Sequence, residues 1–334
     1  MEKNKRLSQI SNIRAVAIIL VVLGHSIILY STGWDLYGTK WSVPLLDTMK
    51  KVIDIIQMPL FFSLSGYLFV FSHQKRRGFL HLLKNKALRL LLPYIGIGVA
   101  FMLPIRLIIG YPSYQGIGVV DIVVKFLTSN DVGHLWFLPA LFVVFLLSEL
   151  ILLLAEKIPL CKKYAEFVLF ALAAALYLEG YRVGFGYPPL LSAYKYLIWF
   201  SLGYLLCRNR DILKKLYSLW FVKWALLVVN VALLVYQIAT NSTGLMVSLA
   251  VTALCIVNAY GAMPEVSCKI IERVDRDSFG IYLFHSPLIY ITFALIPNAH
   301  PALVVLINFV IFGAVAIGLT ELVRKTKIKF LIGE

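Results

Sequence analysis

Apolar stretches, each near the length of a bilayer crossing, follow one another along most of this chain. A transmembrane helix needs about 20 predominantly apolar residues to cross roughly 30 Å of hydrocarbon. We therefore predict an all-α polytopic membrane fold of ten transmembrane helices, in a single membrane domain over residues 1–334. The predicted spans are approximately residues 13–30, 52–72, 88–110, 134–155, 164–178, 191–207, 219–238, 242–262, 278–296 and 301–321.

The first apolar stretch carries two ionisable side chains, Arg14 at its start and His25 about halfway along it. Eleven residues make about three helical turns, so both side chains lie on one helix face, about 16 Å apart. Ionisable groups at membrane depth are rare and usually face the protein interior or a water-filled cavity. The pair therefore indicates a functional site, although Arg14 could simply mark the end of the span and His25 could be a core histidine.

Composition and charge support a membrane protein and argue against nucleic acid binding. Hydrophobic residues make up 60% of the 334 residues, and the mean hydropathy is +0.84, which is too apolar for a soluble globular protein. Most of the 32 Lys and Arg residues, which give a net charge of +15, fall in alternate loops. By the positive-inside rule, this distribution places both termini in the cytoplasm. We expect the membrane to be a cell membrane, the bacterial inner or plasma membrane. The four cysteines have no paired spacing, so we expect no metal site.

Lys86 and Arg89 are three residues apart at the predicted entrance of the third helix, and thus on one face. They could anchor the loop to anionic lipid or bind a phosphorylated ligand. Arg106, near the other end of that helix, is expected to snorkel to the interface. The outer loops carry aromatic residues that form either an interfacial belt or rings on which sugars stack: Trp34, Tyr37, Trp41, Tyr111 and Tyr114.

Several polar positions inside or beside the predicted helices have two competing interpretations. Ser65 and Gly66 offer a small surface for a second helix, and His134 and Trp136 open the fourth helix at its outer boundary. Tyr282 and His285 lie in the ninth helix, where His285 is a second intramembrane histidine. Helix packing or interfacial anchoring explains these residues, and contact with a substrate or with a catalytic group is the alternative.

Taken together, cations at a cytoplasmic mouth (Arg14, Lys86 and Arg89) lie below His25, with aromatic outer loops above it. A donor with an anionic end and a long thin arm suits this layout, and coenzyme A has that shape. A neutral imidazole at membrane depth can take a proton from a hydroxyl and make it a nucleophile.

The chain resembles the membrane acyltransferase 3 family, which includes O-acetyltransferases of bacterial surface polysaccharides. Two positions depart from the family pattern: Ser11 stands where an acid is frequent, and Lys86 replaces the first arginine of an RxxR motif. The similar segments are Asn12-Ile13-Arg14 through Leu23-Gly24-His25 (Arg-x10-His), Pro59 to Leu68, Lys86-x-x-Arg89, His134-Leu135-Trp136-Phe137-Leu138 and Ile281-Tyr282-Leu283-Phe284-His285.

The resemblance implies ten core helices, no tightly bound cofactor, and acetyl-CoA or another acyl-CoA as the cytosolic donor substrate. It implies His25 as the catalytic base and Arg14, Lys86 and Arg89 as donor contacts. The expected activity is O-acetyl transfer to a glycan or lipid-linked sugar, with membrane lipid around the protein and no extracytoplasmic hydrolase-like domain.

Two other functions compete with this expectation. A transporter or flippase of a glycan intermediate would use the intramembrane histidines as proton relays, and a sensor or assembly subunit would need no chemistry. The sequence leaves open the acceptor sugar, the acyl group, direct transfer against an acyl-histidine intermediate, and the oligomeric state.

Overall fold

A computed structural model shows the chain to be helical, with no strand among the residues that it describes: 2–75, 78–180, 187–240, 244–266 and 268–333. The side chains of residues 2–7 and 180 lie outside the description, as do the loop cations Arg76, Arg77 and Arg182. The helices are α1 (Glu2–Ser26), α2 (Pro44–His73), α3 (Phe79–Ile108), α4 (Val119–Leu127), α5 (Phe137–Ala155), α6 (Pro159–Lys163), α7 (Ala165–Gly180), α8 (Pro188–Arg208), α9 (Arg210–Ser218), α10 (Trp220–Ala239), α11 (Leu245–Ala262), α12 (Lys269–Leu295) and α13 (Pro301–Arg324).

Within the described part of the chain, nine helices are long and apolar enough to cross a membrane. The prediction of an all-α, multi-span membrane fold is therefore confirmed. The fifth predicted span, 164–178, is the one outside these nine; it corresponds to α7, whose 16 residues reach only about 24 Å. The start of α2 also differs from the prediction. α2 begins at Pro44, eight residues earlier than expected. Its first turns are polar, so apolar length does not detect them, although a proline at the first position is typical of a helix start.

α3 is not a uniform α-helix, because it contains two π-helical segments. These segments are Ala87–Leu91 and Gly98–Met102. Each is followed within two residues by a proline, Pro93 or Pro104. A proline lacks the N–H that would close an α-helical turn, so the backbone bonds before it rearrange locally.

The chain packs α2 and α8 together through two glycines. A Cβ atom on Gly66 would overlap the backbone carbonyl of Phe200, and one on Gly203 would overlap that of Ser63. The two backbones therefore approach closely, as small residues allow in membrane helix pairs. This contact confirms that Gly66 provides a small surface for a second helix.

The core surrounds α12, whose residues from Asp277 to Pro287 are almost all buried. α1 lies beside α12, and α2 lies against α1, α8 and α11. α10 and α13 expose most of their apolar side chains and form the periphery. We call the end of the bundle that carries Arg14, Arg89 and Asp275 the basic end, and the end that carries Pro44 and Leu295 the opposite end.

Replacing Gly66 by alanine is expected to destabilise the fold by about 1–3 kcal/mol, because the new methyl group meets rigid backbone. Gly313→Ala is the matched control, since a Cβ atom there meets nothing within 4 Å. Thermal unfolding of the purified variants in detergent, followed by size-exclusion chromatography, measures the difference. Equal midpoints for the two variants would contradict the close α2–α8 contact.

Candidate functional site

α1 and α12 run in parallel and make two polar contacts at different depths. At the basic end, Arg14 Nη1 lies 2.9 Å from Asp275 Oδ1. Farther along both helices, His25 Nδ1 lies 3.3 Å from His285 Nε2, and the two rings meet edge to face with centroids 5.0 Å apart. Arg14 and His25 therefore share one helix face, as the spacing predicts, and that face is turned towards α12.

The histidine pair lies near the middle of the apolar part of α12. His285 follows the buried Asp277 by eight residues and precedes the helix end at Leu295 by ten. At 1.5 Å per residue these separations are about 12 Å and 15 Å. α1 itself ends at Ser26, directly after His25, so His25 lies at the end of a helix that stops partway across the bundle.

Backbone carbonyls determine which ring nitrogen of each histidine carries a proton. His285 Nδ1 lies 2.9 Å from the carbonyl oxygens of both Ile281 and Tyr282. A carbonyl oxygen only accepts hydrogen bonds, so this nitrogen must donate and Nε2 of His285 must keep its lone pair. His25 Nδ1 lies 2.9 Å from the carbonyl of Val21, so it carries the proton and also faces His285 Nε2. The lone pair of His25 is therefore on Nε2.

His134 joins the pair from the short 3₁₀ turn Gly133–Trp136 that precedes α5. Its ring centroid lies 5.4 Å from that of His285, and its Nε2 donates to the carbonyl of Leu283 at 3.1 Å. Tyr282 holds this turn in place by donating its hydroxyl to the carbonyl of His134 at 2.5 Å. The remaining nitrogen, His134 Nδ1, is a buried acceptor without a partner among the described residues.

The three histidines form one cluster inside the helix bundle. Among the described residues, no group of three His, Cys, Asp or Glu side chains is placed to hold a metal ion. His285 is fully buried and His134 is nearly so, whereas His25 remains partly exposed. His25 is thus the most exposed member of the cluster.

A cavity of about 590 Å³ lies at the basic end, between the ends of α2, α3 and α5. Lys86 and Arg89 line it together, as their spacing predicts, and the Lys86 ammonium sits 3.4 Å from the centre of the Phe145 ring. His73 also lines it and lies 2.8 Å from Glu149. Because His73 occupies that carboxylate, the two cations of α3 stay available to an anionic ligand.

The other predicted site residues lie elsewhere. Arg14 is paired with Asp275 and is not among the residues that line the basic cavity. The Ser65 hydroxyl donates to the carbonyl of Phe61 in its own helix. Trp136 packs against Tyr196, with ring centroids 5.1 Å apart. The roles predicted for these residues stay predictions.

Arg106 is fully buried, so the expectation that it snorkels to the interface was wrong. Its Nη1 lies 3.1 Å from both the Tyr114 hydroxyl and Asp131, and its guanidinium lies 4.2 Å from the Tyr111 ring centre. Tyr111 and Tyr114 are buried around this charge, and so do not belong to a lipid-facing belt. A buried charge is tolerated only when it is paired and hydrogen-bonded, which explains why the outer loop folds onto it.

The aromatic residues of the loop between α1 and α2 pack onto α12 beside this cluster. Trp34 contacts Phe293 and Tyr37 contacts Tyr290, with ring centroids 5.7 Å and 6.1 Å apart. Burial raises the pKa of Tyr37 to about 12, so its hydroxyl stays protonated at neutral pH. These rings cover the opposite end, above the histidines. They serve either to pack the protein or to contact an acceptor sugar.

Sequence reasoning missed two partners that complete the site. Neither Asp275 nor His73 was singled out from the sequence. The missing signal for Asp275 was helical register: it precedes His285 by ten residues, nearly the spacing that separates Arg14 from His25. For His73, no local pattern in the sequence links it to Glu149, which is 76 residues away.

The fold and the site thus define a multi-pass membrane protein with a histidine cluster inside its helix bundle. A family model described as an acyltransferase domain, that of the acyltransferase 3 family, matches residues 7–321. The match covers nearly the whole chain, so the chain belongs to this family and is a membrane acyltransferase. No curated protein and no solved structure matched the chain.

His285→Leu is expected to lower the rate of acyl transfer about tenfold or more, with little change in KM for the donor. The substitution removes one of the two acceptors that face His25 Nδ1–H and leaves only the Val21 carbonyl, and hydrogen bonds to charged groups are worth about 1.5–3 kcal/mol. His285→Gln, whose amide oxygen can accept the same hydrogen bond, is expected to restore part of the rate. If glutamine and leucine are equally impaired in folded protein, His285 does not act through this bond.

Proposed function

We propose that the protein transfers an acetyl group from cytosolic acetyl-CoA to a hydroxyl group of a surface or exported glycan. In this proposal it resides in a cell membrane with the basic end and both termini in the cytoplasm. The observation that carries the proposal is the contact between His25 and His285, because it leaves a proton-accepting Nε2 on the reachable histidine at mid-bundle.

The donor enters from the basic end. Lys86 and Arg89 line one cavity there and can bind the phosphates of coenzyme A through charge-assisted hydrogen bonds. The pantetheine arm then extends along the bundle towards His25. Arg14 lies on the same face of α1 as His25 and is about one third exposed, so it can contact the donor while it remains paired with Asp275.

In the chemical step, His25 Nε2 takes the proton of the acceptor hydroxyl while the hydroxyl oxygen attacks the thioester carbonyl. The C–S bond breaks, the CoA thiolate leaves towards the basic end, and the imidazolium returns the proton to it. The products are the acetyl ester and free CoA. His285 Nε2 accepts from the Nδ1–H of His25 throughout, a bond that strengthens when the ring becomes charged.

An acyl-histidine route uses the same geometry. The Nε2 lone pair of His25 is also able to attack the thioester itself and to pass the acetyl group to the hydroxyl afterwards. Both routes use His25 Nε2. This nitrogen stays unprotonated because the Val21 carbonyl and His285 Nε2 both accept from the proton on Nδ1.

His25→Ala is expected to lower acetyl transfer by about 100- to 10,000-fold, the usual contribution of a general base. The measurement is incorporation of label from radiolabelled acetyl-CoA into lipid-linked and polymeric glycan of membranes that hold the protein. His300→Asn is the matched control, because His300 is exposed at the opposite end and the asparagine side-chain oxygen can replace His300 Nδ1 as the acceptor for the Ala302 N–H. Equal labelling by well-folded wild type and His25→Ala would favour a transporter or an assembly subunit.

Lys86→Ala is expected to raise the KM for acetyl-CoA by about tenfold or more, because one charge-assisted bond to phosphate is lost. Lys86→Arg keeps the charge and adds a bidentate donor, so its KM should stay at or below the wild-type value. Lys84→Ala, an exposed cation outside the cavity, controls for net charge. Transfer rates measured against acetyl-CoA concentration decide the matter: if Lys84→Ala and Lys86→Ala shift KM equally, the cavity is not the donor site.

A further inference from the structure

Beside His25, α2 presents three polar side chains that the mechanism above does not use. Lys50, Asp54 and Gln57 follow one another at spacings of four and three residues, so they lie on one helix face. Lys50 Nζ bonds both carboxylate oxygens of Asp54, and Gln57 Nε2 donates to Asp54 Oδ1 at 2.6 Å. The three side chains therefore form one connected row, which we call the α2 row.

The α2 row reaches the base. A Cβ atom on Gly24, the residue before His25, would lie 2.9 Å from Gln57 Oε1. That oxygen is buried and has no partner among the described residues. The charges of Lys50 and Asp54 both act on the His25 ring. From Gln57 the row extends towards Pro44, so it lies on the side of His25 that faces the opposite end.

The exposure of Asp54 is unusual for a charge pair that only supports packing. The Lys50 side chain is 8% exposed, whereas that of Asp54 is 48% exposed. The neighbouring pair on the same helix is reversed, with Asp47 12% and Lys51 48% exposed. Asp47 has a structural task, because it accepts from the backbone N–H and the hydroxyl of Thr32. Among the described residues, Asp54 is hydrogen-bonded to Lys50 and Gln57 of its own helix and not to a loop. An exposed carboxylate at membrane depth usually faces a polar cavity rather than lipid.

We propose that the α2 row is the acceptor subsite, and that it binds a neutral, polyhydroxylated group such as an uncharged sugar residue. This inference rests on the proposed function. Asp54 and the free Gln57 oxygen are hydrogen-bond acceptors, so the group that they bind must present donors, as hydroxyls do. Lys50 keeps the carboxylate ionised. A carboxylate or phosphate on the acceptor at this position would be repelled by Asp54.

The subsite also orders the reaction in space. The row starts on the opposite-end side of His25 and ends beside it, while the basic cavity lies on the other side. An acceptor hydroxyl that is hydrogen-bonded to Gln57 lies next to His25 Nε2, and the donor thioester approaches from the basic end. The acceptor therefore enters from the side opposite to coenzyme A.

The test uses the full-length protein in membranes with radiolabelled acetyl-CoA, and it measures label in the glycan fraction and the KM for acetyl-CoA. Asp54→Asn is expected to lower glycan labelling by about 10- to 100-fold, through loss of charge-assisted bonds to hydroxyls, and to leave the donor KM unchanged. Lys51→Met is the matched control, since it breaks the neighbouring ion pair with an equally exposed partner. It should label glycan as the wild type does.

A second variant separates binding from folding. Exchanging the two residues, Lys50→Asp with Asp54→Lys, keeps an ion pair of the same spacing but moves the carboxylate by one helical turn. Folded protein with lost glycan labelling supports the subsite. Wild-type labelling by this double variant or by Asp54→Asn would overturn the subsite and leave the proposed function standing. No labelling by the wild type itself would overturn the proposed function and the subsite together.

Discussion

The parallel contact between α1 and α12 is the interaction on which the rest of the site depends. Arg14 and Asp275 fix the axial register at the basic end, and His25 then meets His285 farther along. A slip of one residue would move one helix by about 1.5 Å and rotate its side chains by about 100°. The ion pair thus helps to position His25, which lies about three helical turns farther along α1.

Three polar atoms around this contact are hydrogen-bond acceptors. His25 Nε2, His134 Nδ1 and Gln57 Oε1 each offer a lone pair in an apolar surrounding. An unpaired acceptor in low dielectric gains more from a donor than it would in water. A substrate that brings hydroxyl groups fits this set, whereas a purely anionic substrate does not.

The sequence predicted those parts of the structure that depend on local pattern. Apolar length predicted the spanning helices, and helical spacing predicted that Arg14 and His25 share a face. Small residues predicted the close approach at Gly66. These features follow from periodicity and side-chain size within one segment, so no knowledge of the neighbouring helices was needed.

The features that the sequence could not predict all depend on contacts between distant segments. Arg106 looked like an interfacial residue because Asp131 and the tyrosines that bury it lie in a loop whose fold has no local signature. The tautomer of His285 depends on carbonyls of its own helix, but its importance depends on His25, which is 260 residues away. Ion pairs such as Lys50 with Asp54 were visible as spacing, yet their place beside the base was not.

Charge separates the two proposed substrates along the bundle. In the proposed function, Lys86 and Arg89 attract the phosphates of coenzyme A at the basic end, whereas Asp54 lies beyond His25 and opposes further entry of anionic groups. An uncharged hydroxyl group feels no such barrier from its own side. In this proposal the donor and the acceptor meet at the depth of the histidines, in the middle of the bundle. Only the small, neutral acyl group has to pass from one side to the other, so neither the charged donor nor the sugar needs to cross the apolar interior.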